Sequence, residues 1–257
     1  MLYIHPVGGL GNMFFHIAAI WTLAKDNNDD LCLLNIDKKI YDLDNDTRWN
    51  SKHAIKYKYI FNRFLNFDIK INNNIEYPYN YKQLEYKKEY QYIGYFQSEK
   101  YFKHRRNEIL ELFKPATEFN VDINKYSNLF GNICLHVRRN DYVKLYPEIH
   151  IPQPIDYYNN ALTLLPSDMK VLIFSDDLEW CKKNFIGNRF IFIDEVDYIS
   201  IYVMSKMKHH IIANSSFSWW SAWMSEYDNK IIIAPKKWFG ENSYSDVDLI
   251  PDNWIRV

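Results

Sequence analysis

Apolar residues along this chain fall into short continuous runs separated by segments of helical spacing, and the alternation is clearest after residue 130. Ile133 to Val137, Val171 to Phe174, Phe190 to Ile193, Ile211 to Ala213 and Ile231 to Ala234 read as buried strands. Tyr157 to Leu165, Leu178 to Phe185, Ile199 to Met207 and Ser218 to Ser225 read as the helices between them. Such alternation predicts an α/β fold with a parallel sheet covered by helices on both faces. Near the start, Leu2 to Val7 is a short apolar segment leading into Gly8-Gly9-Leu10-Gly11-Asn12, after which Met13, Phe14, Ile17, Ala18, Ile20, Trp21 and Ala24 recur at helical spacing. Residues 26 to 92 are rich in Asn, Lys, Tyr and Ile with weak periodicity. Tyr101 to Lys114 predicts a helix that Pro115 stops, which places a domain boundary near residues 115 to 128.

Composition narrows the function classes. With 257 residues, 47% of them hydrophobic and 18% aromatic, the chain can bury one large core or two modest ones. Seven glycines and nine prolines, with no run recurring at a fixed period, argue against repeat and linker-dominated proteins. The 31 basic residues nearly balance the 32 acidic ones, so no overall field draws the molecule to nucleic acid or an anionic membrane, and any bound anion needs a local site. Three separated cysteines, Cys32, Cys134 and Cys181, fit reduced thiols better than a disulfide framework. No apolar run approaches the ~20 residues of a spanning helix, and no secretory signal is evident, so the expectation is a soluble cytoplasmic protein. The glycosylation-like triplets Asn45-Asp46-Thr47 and Asn214-Ser215-Ser216 accordingly carry little weight.

In open α/β sheets ligands bind beyond the carboxyl ends of the strands, and four such junctions carry unusual chemistry. At the first, Gly8, Gly9 and Gly11 let backbone approach a ligand and leave helix amides open to an anion, although a tight turn needing glycine explains them as well. At the second, His136-Val137-Arg138-Arg139-Asn140-Asp141-Tyr142, strand alternation puts His136 and Arg138 on one side and Arg139 on the other. One guanidinium fork can then face a diphosphate while its neighbour braces the scaffold; an ion-pair cluster with Asp141 is the alternative. Ser175-Asp176-Asp177 can cap the helix that follows, or leave one carboxylate for a guanine or ribose. At the fourth, Asn214, Ser215, Ser216, Phe217 and Ser218 open a helix with hydroxyls and free amides, a cradle for an anion that needs no metal. Trp219, Trp220 and Trp223 read as core packing. No zinc-like His/Cys spacing, Asp-x-Asp pair or Gly-x-Ser-x-Gly elbow is present, and adjacent Asp176 and Asp177 point oppositely on an extended segment, so no metal is expected.

Taken together, Gly8 to Asn12, His136 to Tyr142 and Ile211 to Trp220 resemble the α-1,2-fucosyltransferases of glycosyltransferase family 11. Gly94 to Phe102, Phe174 to Asp177, Ala234 to Phe239 and Pro251 to Trp254 are similar to stretches of that family in the same order. Asn140 stands where the family has glycine, consistent with a left-handed turn that asparagine tolerates, and Met13 stands where glutamine follows the first motif, a change expected to alter substrate contacts.

The resemblance implies a GT-B architecture: two facing Rossmann-like domains with a cleft between them, residues 1–120 on the acceptor side and 121–244 binding the donor, with 245–257 packing back on the first. It implies inverting transfer of L-fucose from GDP-β-L-fucose to the 2-OH of a galactoside, with a GDP-sugar donor and a glycan acceptor as partners and no metal cofactor. Arg138, with Ser215, Ser216 and helix amides, would stabilise the departing diphosphate. Asp141 is the leading general base, with Glu148 and His136 behind it, or else a strut for Arg138. Gly9, Gly11, His136, Arg139, Ser175, Asn214, Phe217 and Ser218 complete the donor side, and Asp176 or Asp177 reads guanine or ribose. Asn12 joins the donor side or, with His16 and Gln97, lines the acceptor side. Another GDP-deoxysugar such as colitose, a different acceptor hydroxyl, or a non-catalytic glycan-binding protein on the same fold are the alternatives.

Overall fold

The computed structural model describes residues 1–45, 54–144, 148–241 and 243–257. Asp46 and Thr47 of the first glycosylation-like triplet therefore lie outside the described residues. The chain divides into two compact units, residues 1–118 with 247–251, and residues 119–246 with 252–257.

The first unit contains β1 (Leu2–Ile4), α1 (Leu10–Asp26), β2 (Leu31–Leu34), α2 (Ile36–Asn45), α3 (Lys58–Phe61), β3 (Leu65–Phe67), β4 (Asn74–Glu76), β5 (Gln91–Ile93) and α4 (Arg106–Leu112). Its five strands form a parallel sheet in the order β3-β2-β1-β5-β4. Helix α1 is buried around most of its circumference, as its unbroken run Met13 to Ile20 requires, and its Phe14 stacks on Phe113 at 4.2 Å. The single helix expected over Tyr101 to Lys114 is instead broken. Short 3-10 turns at Glu99–Tyr101 and Lys103–Arg105 precede α4, because Phe102 leaves helical geometry at φ −142° to bury its ring completely.

The second unit contains α5 (Asn120–Asn124), β6 (Ile133–Val137), α6 (Asn140–Lys144), α7 (Ile155–Thr163), β7 (Val171–Ser175), α8 (Leu178–Asn184), β8 (Phe190–Ile193), α9 (Asp197–Ser205), β9 (His209–Ile211), α10 (Ser216–Met224), β10 (Ile232–Ala234) and β11 (Ile255–Arg256). They form a six-stranded parallel sheet in the order β11-β10-β9-β6-β7-β8. Ile133, Leu135, Val137, Val171, Ile173 and Ile211 meet Tyr157, Tyr158 and Ala161 of α7, Cys181 of α8 and Phe185 just after it in one apolar cluster. Trp219 and Trp220 are wholly buried and pack edge to face at 5.2 Å, as core residues do.

The C-terminal segment departs from expectation. Residues 247–251 belong to the first unit, where Asp248 accepts from Lys100 Nζ (2.6 Å) and from the Tyr81 backbone N–H (3.0 Å). Residues 252–257 stay with the second, because Ile255 pairs opposite Ile233 and Trp254 packs 5.4 Å from Trp219. Among the described residues no helix is long and apolar enough to cross a membrane.

Both sheets contain a point where the strand order reverses. In the first, β1 lies between β2 and β5; in the second, β6 lies between β7 and β9. Crossover connections leave such points on opposite faces, so the carboxyl ends of the flanking strands open into a crevice that suits a ligand.

Candidate active site

Strand register assembles the second unit's site. Leu135 of β6 lies opposite Ile211 of β9, so the chain three residues further on brings Arg138 and Asn214 out of neighbouring strands at the switch point. On the other side Val137 lies opposite Ser175, which sets Arg138 and Arg139 beside Asp176 and Asp177. Residues 37 to 76 positions apart thus converge through strand register.

Arg138 is the charged centre of this group. Its Nε lies 2.8 Å from Asp141 Oδ1 and 3.4 Å from Asp176 Oδ2, and its guanidinium lies over the Tyr142 ring at 5.7 Å. Burial opposes its charge, yet the Asp176 and Asp141 carboxylates outweigh that and hold it above the ordinary arginine range. The side chain remains 24% exposed, so a positive group backed by two carboxylates still presents a face outward. Asp141 is 6% exposed and its Oδ1 faces Arg138 Nε, the placement of a strut for Arg138, which is the alternative its sequence position offered beside a general base.

Asp176 and Asp177 are occupied by the protein itself. Asp176 accepts from the backbone N–H groups of Arg139 (2.9 Å) and Asn140 (3.1 Å), anchoring the start of α6. Burial raises its carboxyl above the usual range despite Arg138 and these two donors. Asp177 caps α8 through the Trp180 N–H (3.0 Å) and pairs with Arg139 Nε (3.2 Å), while its own N–H donates to Ser175 Oγ (2.9 Å). Both Asp176 oxygens, expected to read guanine or ribose, thus already accept from the protein's own backbone. Arg139 in turn lies 4.3 Å from the Trp180 ring, a cation–π contact that sequence reading missed because Trp180 looks like any apolar helix position. Asn140 begins α6 with ordinary helical handedness, and its side-chain amide donates to the Asp176 carbonyl, so it is a second tie between β6 and β7 and not a left-handed turn residue.

The start of α10 is divided between structure and open chemistry. Asn214 is 1% exposed and donates to the carbonyls of Ile151 (3.1 Å) and Trp238 (2.8 Å), which pins two loops and places it out of reach of a glycan. Tyr142 Oη donates to the Asn214 carbonyl at 2.8 Å, tying α6 to the same turn. Ser218 is wholly buried, its hydroxyl turned to the carbonyls of Ala213 and Ser215, so it is not available to a ligand. Ser215 directs its hydroxyl at Tyr142 and has its N–H bonded to the Ala213 carbonyl. What stays open are Ser216 and Phe217, both partly exposed, and the first-turn amides of α10, which no side chain caps. His136 is buried against Phe217, at 5.6 Å between rings, and burial with the nearby Arg138 cation pushes its imidazole down to about 3, so it is a neutral group with little basicity. Glu148 is exposed. Among the described residues, no three His, Cys, Asp or Glu side chains gather as metal ligands would.

In the first unit, Ile4 lies near Tyr92 across β1 and β5, and the loops after these strands carry the other expected residues. Gly8 has φ +74°, and a Cβ there would stand 2.5 Å from Asn12 Nδ2, so glycine is required at Gly8; at Gly9 a Cβ would meet nothing within 4 Å, leaving bare backbone at the start of α1. Asn12 Oδ1 accepts from Gln97 Nε2 at 2.8 Å, joining the two motifs through their side chains. Phe96, just before Gln97, holds a left-handed φ of +52° with its ring 1% exposed, a conformation that costs about 1–3 kcal/mol and is kept where the surroundings over-determine it. His16 does not reach the surface. It is 1% exposed, its Nδ1 accepts the Val7 N–H at 3.2 Å, and burial pushes it down to about 3, so it packs beneath the glycine turn instead of lining an acceptor site. Gly11 and Met13 are likewise buried, and Met13 is a core residue whose replacement of glutamine alters no exposed contact.

Two parallel α/β units are the architecture of GT-B type glycosyltransferases, and the second unit carries a partly exposed guanidinium and an uncapped helix start at its switch point. The fold is shared with the fucosyltransferase NodZ from Bradyrhizobium, at a TM-score of 0.57 and 12% identity over 86% of this chain and 91% of that one. The chain belongs to glycosyltransferase family 11: the model of "Glycosyl transferase family 11" matches residues 9–257. An Escherichia coli alpha-1,2-colitosyltransferase is 31% identical over 97% of this chain and 96% of its own length. A putative galactoside 2-alpha-L-fucosyltransferase of Caenorhabditis elegans is 26% identical over 62% of this chain and 50% of its own.

Proposed function

We propose that this enzyme transfers L-fucose from GDP-β-L-fucose to the 2-OH of a β-galactoside, with inversion and without a metal ion. The observation that carries the reading is Arg138, permanently cationic, partly exposed and braced by two carboxylates beside the free amides of α10. In the reaction the acceptor oxygen bonds to C1 of the sugar as the C1–O bond to the diphosphate breaks, the hydroxyl proton passes to a base, and GDP departs. Negative charge grows on the leaving diphosphate, and donors aimed at that charge are worth about 10²–10³ in rate each. Arg138, the Ser216 hydroxyl and the amides of Ser216 and Phe217 supply them, with Arg139 on its Trp180 platform completing the cationic face. Because Asp141 is held by Arg138 and His136 is buried and neutral, the role of base passes to Glu148, whose carboxylate is exposed.

The alpha-1,2-colitosyltransferase relative supports a second reading, transfer of colitose from GDP-colitose to the same hydroxyl. Colitose lacks the 3-OH of fucose, so the two donors separate on one group. Offering both to the purified protein with a panel of β-galactosides, with product mass and linkage by NMR, decides between them. Release of GDP from neither donor would leave a glycan-binding protein and defeat the transferase proposal.

A further inference from the structure

Two loops of the first unit meet through side-chain amides, and the chain of bonds does not stop there. Gln97 donates from Nε2 to Asn12 Oδ1 at 2.8 Å, and its Oε1 accepts from Tyr79 Oη at 2.5 Å. Gln97 is 8% exposed, so both ends of its amide are held by protein where water has little access. Each link constrains the next: a hydroxyl donating to Oε1 turns Nε2 toward Asn12, and Asn12, accepting on Oδ1, turns its Nδ2 to the glycine turn beside Gly8. Among the described residues that Nδ2 meets no acceptor, although Asn12 is partly exposed at the mouth of the glycine turn. The turn is shaped around it, since any side chain at Gly8 would collide with this atom. At the far end the left-handed Phe96 sets Gln97 in line, its carbonyl accepting the Ser98 N–H at 2.8 Å.

We propose that Tyr79 is a positioning residue for the transfer reaction: through Gln97 it fixes the rotation of the Asn12 amide, so that Nδ2 is presented as a donor to a substrate oxygen. The inference rests on the transferase reading. The oxygen it serves is either an acceptor-sugar hydroxyl or a donor-phosphate oxygen, and kinetics separate the two. Losing the Tyr79 hydroxyl leaves both amides free to flip, and half of those orientations present a carbonyl where a donor is needed.

The test is a double-mutant cycle on the full chain with Tyr79→Phe and Asn12→Ala, measuring kcat and the KM of each substrate, with Gln97→Leu closing the same cycle if Asn12→Ala is too slow to measure. Tyr79→Phe should lower kcat/KM about five- to tenfold, the worth of one hydrogen bond, and less than twofold once Asn12 is already alanine. A rise in the KM of the glycan assigns Nδ2 to the acceptor; a rise in the donor KM, with weaker GDP binding by calorimetry, assigns it to the phosphate. An equal loss in both backgrounds, or none in either, overturns the relay while wild-type turnover keeps the transferase reading. A wild-type chain inert with every donor overturns both.

Discussion

Replacing Asp141 by asparagine separates the two roles that its sequence position allows. The side chain keeps its shape but loses its charge, leaving Arg138 with Asp176 alone at 3.4 Å. A unit-charge pair about 4 Å apart at an effective dielectric near 20 is worth about 4 kcal/mol, and removing one partner of a buried pair costs about 3–5 kcal/mol. Because the second carboxylate stays in place, a loss of about 2 kcal/mol is expected. At about 2–4 °C per kcal/mol for chains of this size, the thermal midpoint should fall by about 4–8 °C. Arg138 is then less well held, so GDP binding by calorimetry should weaken, while transfer at saturating donor persists within about tenfold of wild type. A general base would behave otherwise: transfer would drop about 10²–10⁴ with stability and GDP affinity unchanged. That second pattern would refute the strut assignment.

Further expectations follow from the same geometry. Arg138→Lys keeps a charge but not the fork, and should lower kcat by at least about a hundredfold with GDP binding reduced; near-normal turnover would remove Arg138 from the mechanism. Lysine is chosen because alanine would leave Asp141 and Asp176 buried without a cation. Glu148→Gln should cut transfer while leaving GDP affinity and thermal midpoint at wild-type values, and retained turnover would take Glu148 out of the role of base. A Cβ at Gly240 would lie 1.9 Å from the Glu148 carbonyl oxygen, so Gly240→Ala should destabilise by about 1–3 kcal/mol in urea titration. His16, His136 and His210 are each pushed down to about 3 by burial. Their folded values lie below the unfolded one near ~6.5, so their contribution is complete above that pH and is lost as pH falls toward 3, at up to about 1.4 kcal/mol per pH unit for each. Urea midpoints at pH 7, 5.5 and 4.5 should fall accordingly, and a flat profile would contradict the burial of these rings.

The second sheet was legible in the sequence because its inner strands are apolar on both faces: Ile133 to Val137 and Val171 to Phe174 carry no polar residue except His136, and the helices between them keep their period. The first sheet was less so. Its edge strands β3 and β4 expose alternate residues such as Leu65 and Phe67, so their three-residue runs do not stand out from the Asn- and Lys-rich surroundings. Within the site, Arg138 and the start of α10 could be singled out because charge and hydroxyls cluster locally. The commitments of Asp176, Asn214 and Gln97 could not, since each is made to a residue tens of positions away and depends on strand register. His16 illustrates the converse: an imidazole beside a glycine turn looks like a ligand contact until its burial is known.

The covalent path between the units has a practical consequence. The chain passes from one to the other after residue 118, again after 246 and once more after 251, so neither is a contiguous stretch of sequence. A hybrid chain that takes its second unit from a relative must therefore replace 119–246 together with 252–257 and retain the intervening five residues, or Asp248 is lost to Lys100 and Tyr81 and the last strand is lost to β10.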